Sequence, residues 1–303
     1  MPLVAGVDSS TQSVKVVVRD ADSGELVAQS SAPHPDGTEV DPHAWESALD
    51  KALTTVATNK IEAISIAGQQ HGMVALDADG AVIRNALLWN DTRSAKAADE
   101  LNEEVPDIHL RTGSKLVASF TASKVRWLAD NEKANAAKLA AIALPHDWIS
   151  WRLSGSTDID ALFTDRSDAS GTGYFNPVSN QYELDILKLA TRGRSDIKLP
   201  RIVASDEFGG STKSGIPIAA GAGDNAGAAL GLGARVGDDD PPCPRAVGVI
   251  RVPKKVEEKL RQGAVSDGGV KLSSPLSEPL SAVLVLDRDS VEGAHGYHTF
   301  RKS

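Results

Sequence analysis

LVAGVDSSTQSVKVVV (3–18) sets two β-branched runs, 3–7 and 14–18, on either side of a short polar loop that begins with Asp8. β-Branched residues fit a pleated, half-buried surface, so the stretch predicts two strands joined by a tight turn. The polar, glycine-containing DADSGE (20–25) predicts a second turn, and LVAQS (26–30) a third strand. A sheet therefore opens the chain.

Moving outward, Asp41-Pro42 predicts a helix start, since Asp suits the N-cap and Pro the first helical position. Trp45, Ala48, Leu49, Ala52, Leu53 and Val56 follow at helical spacing and form one apolar stripe. IEAISIAG (61–68) reads as a buried strand, and 73–89 as a hairpin turning at Asp79-Gly80. Helices are expected near 92–104, 121–131, 134–143 and 145–154, the last stopped by Gly155. Residues 216–234 read as a strand, a glycine-rich turn and an Ala/Gly helix. Strands in a meander, then strands alternating with helices, indicate an α/β domain built on a mixed sheet flanked by helices.

At 303 residues the chain can bury a sizeable core, and its formal charge of -9 argues against binding nucleic acid or an anionic membrane through overall charge. One cysteine, Cys243, excludes an internal disulfide framework and points to a reducing compartment. The N-terminus carries no signal-peptide pattern, and no apolar run approaches a bilayer span. The expectation is a soluble, cytoplasmic protein with neither a nucleic-acid nor a membrane partner. The chain has no GxxxxGK[ST] loop, no HRD or DFG set, no HExxH, no paired CxxC and no GxSxG elbow. His34 and His43 lie in a polar stretch without ligand spacing and are expected at the surface.

Three sets of residues could carry chemistry. Asp8, with Ser9, Ser10 and Thr11 after it, combines a carboxylate, hydroxyls and freed backbone N–H groups, which suits a divalent cation and phosphate oxygens. A plain hairpin turn explains the same residues. Asp224, in GAGDNAG between strand and helix, could accept a proton from an attacking hydroxyl, or could simply cap the helix. Gln70, His71, Trp89, Asn90 and Asp91 offer donors, acceptors and an aromatic face at predicted strand ends, the mixture a polyol needs. Taken singly, each has an equally good structural explanation.

The ordered series resembles the FGGY carbohydrate kinase family, and within it the xylulokinases. The carrying segments are GVDSSTQSVKVVV (6–18), IAGQQHGMVALD (66–77), LLWNDTRS (87–94), FTASKVRWL (120–128), LPHDWISWRLSG (144–155), TDRSDASGTGYFN (164–176) and AGAGDNAGAALGLG (220–233). The resemblance spans 1–236 and implies an actin-like, ribonuclease-H-like ATPase fold. It implies ATP and Mg²⁺ as cofactors, and ATP and a small sugar as partners, with D-xylulose going to D-xylulose 5-phosphate. By motif match Asp224 would be the catalytic base. Asp8 would position Mg²⁺ and ATP, with Ser10 and Thr11 near the phosphates. Gln70 and His71 would contact the sugar, although the first of the pair is often Met, and Trp89, Asn90 and Asp91 would complete its seat.

The resemblance leaves room for a homodimer. It also leaves open another substrate such as glycerol, gluconate or ribulose, or a non-catalytic sugar-binding lobe. From GARVGDDDPPCPR onward the family pattern breaks, so 237–303 is expected to be an atypical tail, disordered or derived from a frameshift. The second domain is then largely missing, and weak nucleotide binding with weak or absent kinase activity is expected of this chain.

Overall fold

The computed structural model describes residues 2–56 and 61–231. The expected tail at 237–303 lies outside them.

The opening residues form β1 (Leu3–Ser9), β2 (Ser13–Asp20) and β3 (Leu26–Pro33), an antiparallel meander. Helix α1 (Pro42–Thr55) begins as its sequence predicts: the Asp41 carboxylate accepts the His43 N–H at 3.0 Å, and Pro42 fills the first turn. The chain returns through β4 (Ile61–Gly68), which pairs parallel to β1. Later come β5 (Val74–Leu76), α2 (Ala95–Glu104), α3 (Thr121–Asn131), α4 (Lys133–Lys138), β6 (Ala141–Ala143) and α5 (Pro145–Ser154). A short α6 (Arg166–Ser170), then β7 (Phe208–Ser211), β8 (Pro217–Ala219), β9 (Ala222–Gly223) and α7 (Asp224–Gly231) complete the elements that matter for the site.

The main sheet runs β7-β8-β4-β1-β2-β3, with β9 also pairing β4. β8, β4, β1 and β9 are parallel and the outer pairings antiparallel, so the mixed sheet expected from the strand pattern is present. One core joins Ala5, Val7, Val14, Val16, Ile64 and Ile66 of the sheet to Trp45 of α1 and to Trp148 and Trp151 of α5. A second core gathers Met73, Leu101, Val125, Leu128 and Tyr174 around α2 and α3.

Three local expectations need correction. The helix expected over 134–143 ends at Lys138, and Ala141–Ala143 forms β6, pairing antiparallel with β5. Ala-rich sequence favours a helix, but the backbone groups of β5 need a partner, and tertiary pairing overrides propensity. The predicted hairpin keeps its turn: Asp77 Oδ1 accepts the N–H groups of Asp79 and Ala81, and Gly80 takes φ 77°. Its two arms meet only through isolated bridges, because β6 takes the place beside β5. His34 is buried, not exposed, and its Nδ1 lies 2.9 Å from the Ser10 carbonyl, bracing the loop after β1.

Candidate active site at the ends of the parallel strands

Register brings the two acidic motifs together. Asp8 of β1 pairs with Ala67 of β4, and Ala67 with Ala222 of β9. One step on, Ser9, Gly68 and Gly223 form the next row, and Asp224 follows at the start of α7. Neighbouring strands lie about 4.8 Å apart, so β1 and β9 are separated by roughly 10 Å, with only Ala and Gly on the strand between. A Cβ built on Gly68 would lie 2.9 Å from the His146 Cβ of α5. Ser9 is in that row and Asp8 is not. Because successive side chains alternate, Asp8 points to the sheet face away from α5.

Asp8 senses the charge of Asp224. Burial, then the Asp224 charge, push Asp8 up to about 7, against a smaller opposing pull from Lys15 on the facing strand. Burial also pushes Asp224 up to about 6, although the N–H of Asn225, 2.7 Å from its Oδ1, pulls the other way. That N–H belongs to the next residue, in the first turn of the helix Asp224 begins, and burial outweighs its pull. Asp8 Oδ1 is buried with no hydrogen-bond partner among the described residues. An acceptor kept dry, unpaired and beside a second carboxylate fits a cation, which would relieve both penalties.

The loop after β1 is a tight turn in which the N–H and hydroxyl of Ser10 both donate to the Ser13 carbonyl. Thr11 Oγ1 accepts the indole N–H of Trp89 at 2.9 Å, so Trp89 stands against this loop while staying 39% exposed. Past the end of β4, the N–H of Gln69 is held by the Ser9 carbonyl, and Gln70 Nε2 donates to the Ser167 carbonyl at 2.7 Å. His71 adopts φ 68°, an uncommon conformation for a residue with a Cβ. Its Nδ1 lies 2.8 Å from the Gly171 carbonyl and its ring packs on Phe120 at 4.8 Å. A carbonyl only accepts, so Nδ1 carries the hydrogen and Nε2 is left with a lone pair. Burial keeps His71 below its ordinary titration and hence neutral. Asn90 is exposed. Asp91 is buried and occupied: it accepts from Thr38 Oγ1, from the Arg93 N–H and from Arg93 Nε.

Several polar residues near these were not singled out from sequence. Gln69 is buried with neither amide atom bonded among the described residues. His146, Asp147, Asp165 and Asp168 form a buried cluster in which His146 Nδ1 lies 3.2 Å from Asp147 Oδ1 and 3.3 Å from Asp168 Oδ2. Burial disfavours the charged imidazole, but the Asp147 hydrogen bond and the charges of Asp165 and Asp147 outweigh it and raise His146. Asp168 is raised well above its ordinary 3.8, by burial first, then by Asp165 and Asp147, with Asp224 contributing. The donor atoms of His146, Asp165 and Asp168 lie within 4.8 Å of one another, but the imidazole already compensates the acidic charge there.

The proton on Asp168 has a stability consequence. The folded chain keeps it at pH values where the unfolded chain has released it. Its favourable contribution is therefore complete only below about 3.8 and is lost as pH rises. Asp168→Asn cannot ionise and is expected to raise the melting temperature at pH 8 relative to wild type, with a smaller gain at pH 5. An equal change at both pH values would show that Asp168 carries no such proton.

Solved structures and curated relatives agree on the class. The structure superposes on the crystal structure of xylulose kinase from Bifidobacterium adolescentis with a TM-score of 0.74 and 42% sequence identity, covering 78% of this chain and 56% of that one. The fold is thus that of the carbohydrate kinases, actin-like as expected. The model of the FGGY family of carbohydrate kinases, N-terminal domain, matches residues 3–231, and the chain belongs to that family. It is 44% identical over 253 residues to the xylulose kinase of Streptomyces coelicolor, a match covering 78% of this chain and 51% of the relative. It is 31% identical over 247 residues to that of Escherichia coli, covering 75% and 49%. The chain spans about half the length of the curated relatives it matches. Among the described residues no helix is long and apolar enough to cross a membrane.

Proposed function

We propose that this chain supplies the sugar seat and catalytic carboxylate of an ATP-dependent sugar kinase acting on D-xylulose. The observation that carries the reading is the pair Asp8 and Asp224, set at the ends of two strands that flank β4, with the Asp224 charge raising Asp8's cost of ionising. With its titration near 6, Asp224 is ionised at neutral pH yet basic enough to take a proton from the sugar hydroxyl as that oxygen attacks. Asp8 would hold Mg²⁺, with Ser10 and Thr11 close to the nucleotide phosphates; when bound, the magnesium nucleotide supplies the phosphoryl group and offsets its negative charge.

On the sugar side, His71 offers Nε2 as an acceptor, and the Gln70 amide, its nitrogen held by Ser167, keeps its oxygen for another hydroxyl. Trp89 gives a ring face and Asn90 an exposed amide. Asp91 acts as the brace that holds Arg93 and Thr38, with one lone pair to spare for a ligand. D-xylulose is supported as the substrate by the relatives matched above, which are xylulose kinases.

Calorimetry on the 303-residue protein tests this. Heat on adding D-xylulose, reduced about tenfold in affinity by His71→Ala, is the expected result. Binding of glycerol, gluconate or ribulose in preference to D-xylulose would overturn the substrate. Sugar binding with no response to MgATP would favour the non-catalytic lobe.

A further inference from the structure

The route by which Asp224 is held in place runs through a residue that no motif reading singled out. Gly223 immediately precedes Asp224, and its N–H donates to Ser167 Oγ at 2.8 Å. The same hydroxyl spends its own proton on Asp165 Oδ1 at 2.5 Å. Asp165 in turn caps α6, accepting the N–H groups of Ser167 at 2.6 Å and Asp168 at 3.3 Å. Ser167 is fully buried, so none of these bonds competes with solvent. On its other side, the Ser167 carbonyl takes the Gln70 amide at 2.7 Å. The Gln70 side chain also fills the space over Gly223, where an added Cβ would meet its Nε2 at 2.4 Å.

From this geometry we infer that Ser167, locked by Asp165, is a positioning residue that fixes Asp224 relative to the sugar-contacting Gln70. The hydroxyl suits the task because it must donate and accept at once: its proton goes to Asp165 and a lone pair to Gly223. Alanine could do neither, and would leave the Gly223 N–H buried without a partner. The role as stated rests on the reading of Asp224 as the base; the clamp on Gly223 does not.

The test uses the full-length protein and two readouts that need no turnover. Amide exchange in the wild type should show Gly223 protected. In Ser167→Ala that protection should fall ~10-fold or more while the amides of α5 keep theirs. Carbon-13 titration of the Asp224 carboxyl should move in the same variant from about 6 toward the ordinary carboxylate range, because a released loop admits water to it. A Gly223 amide that exchanges freely in the wild type would overturn the inference. So would a Ser167→Ala protein in which both Gly223 and Asp224 behave as before. Should Ser167→Ala not fold, the wild-type exchange result decides alone. An Asp224→Asn protein that still phosphorylates sugar would remove the base reading, whereas the clamp stands or falls on the Gly223 amide.

Discussion

Under the proposed function, Asp224→Asn is expected to lower whatever ATP-dependent sugar phosphorylation the chain supports by ~10²–10⁴-fold, the usual worth of a general base. The substitution is nearly isosteric, and the new amide oxygen can still accept the Asn225 N–H that the Asp224 carboxylate takes now. The start of α7 therefore keeps its local bond, and a loss of rate reports on proton transfer and not on the loop. The pH profile supplies an independent check. As the proposed base Asp224 acts only unprotonated, so on that reading the wild-type rate should fall as pH drops through about 6, and the residual rate of the Asp224→Asn variant should lack that limb. Removing the charge should also lower the titration of Asp8 from about 7, since the Asp224 charge is its second-largest cause. Unchanged turnover in Asp224→Asn would return the residue to helix capping.

Gly221→Ala should be the most damaging single-methyl change in the site region. The residue sits at φ 85°, and an added Cβ would come 2.0 Å from His146 Nε2 and 2.5 Å from the Ile66 carbonyl. Neither neighbour can yield easily: the Ile66 carbonyl belongs to the central strand, and the imidazole of His146 is fully buried among three carboxyls. Overpacking of this kind costs ~1–3 kcal/mol, and forcing a non-glycine residue into the left-handed region adds ~1 kcal/mol or more. At ~2–4 °C per kcal/mol for a domain of this size, a fall of roughly 4–16 °C in melting temperature is expected. Gly215 is the natural control, with φ 86° and no atom within 4 Å of a notional Cβ. Its alanine variant bears the backbone strain alone. Equal losses at the two positions would refute the packing argument.

Much of this arrangement was legible because it is local. The meander, the Asp41-Pro42 helix start, the strand at 61–68 and the Gly155 stop all depend on residues within a few positions of one another. The segment 141–143 misled because its own composition favours helix while its backbone pairs with β5, far earlier in the chain. His34 misled for a similar reason: its neighbours are polar, but a turn of the first hairpin folds over it and takes its ring nitrogen. The His146–Asp147–Asp165–Asp168 cluster was hidden because its members come from two separate segments, one read as an ordinary helix over 145–154 and the other given no element, which only the fold brings together. The signal available was the Asp-x-Ser spacing at 165–167, which announces a cap. It says nothing of what the Ser hydroxyl holds.

By itself, the order of residues determined that Asp8 lies close to the end of one strand and that Asp224 lies where a strand gives way to a helix, since turn and periodicity preferences act over short range. Only the tertiary structure decided that these two ends share a register across β4, that burial and proximity lift both titrations, and that Ser167 reaches the backbone in front of Asp224. Strand order and desolvation are properties of packed neighbours far apart in the chain, and no local preference encodes them.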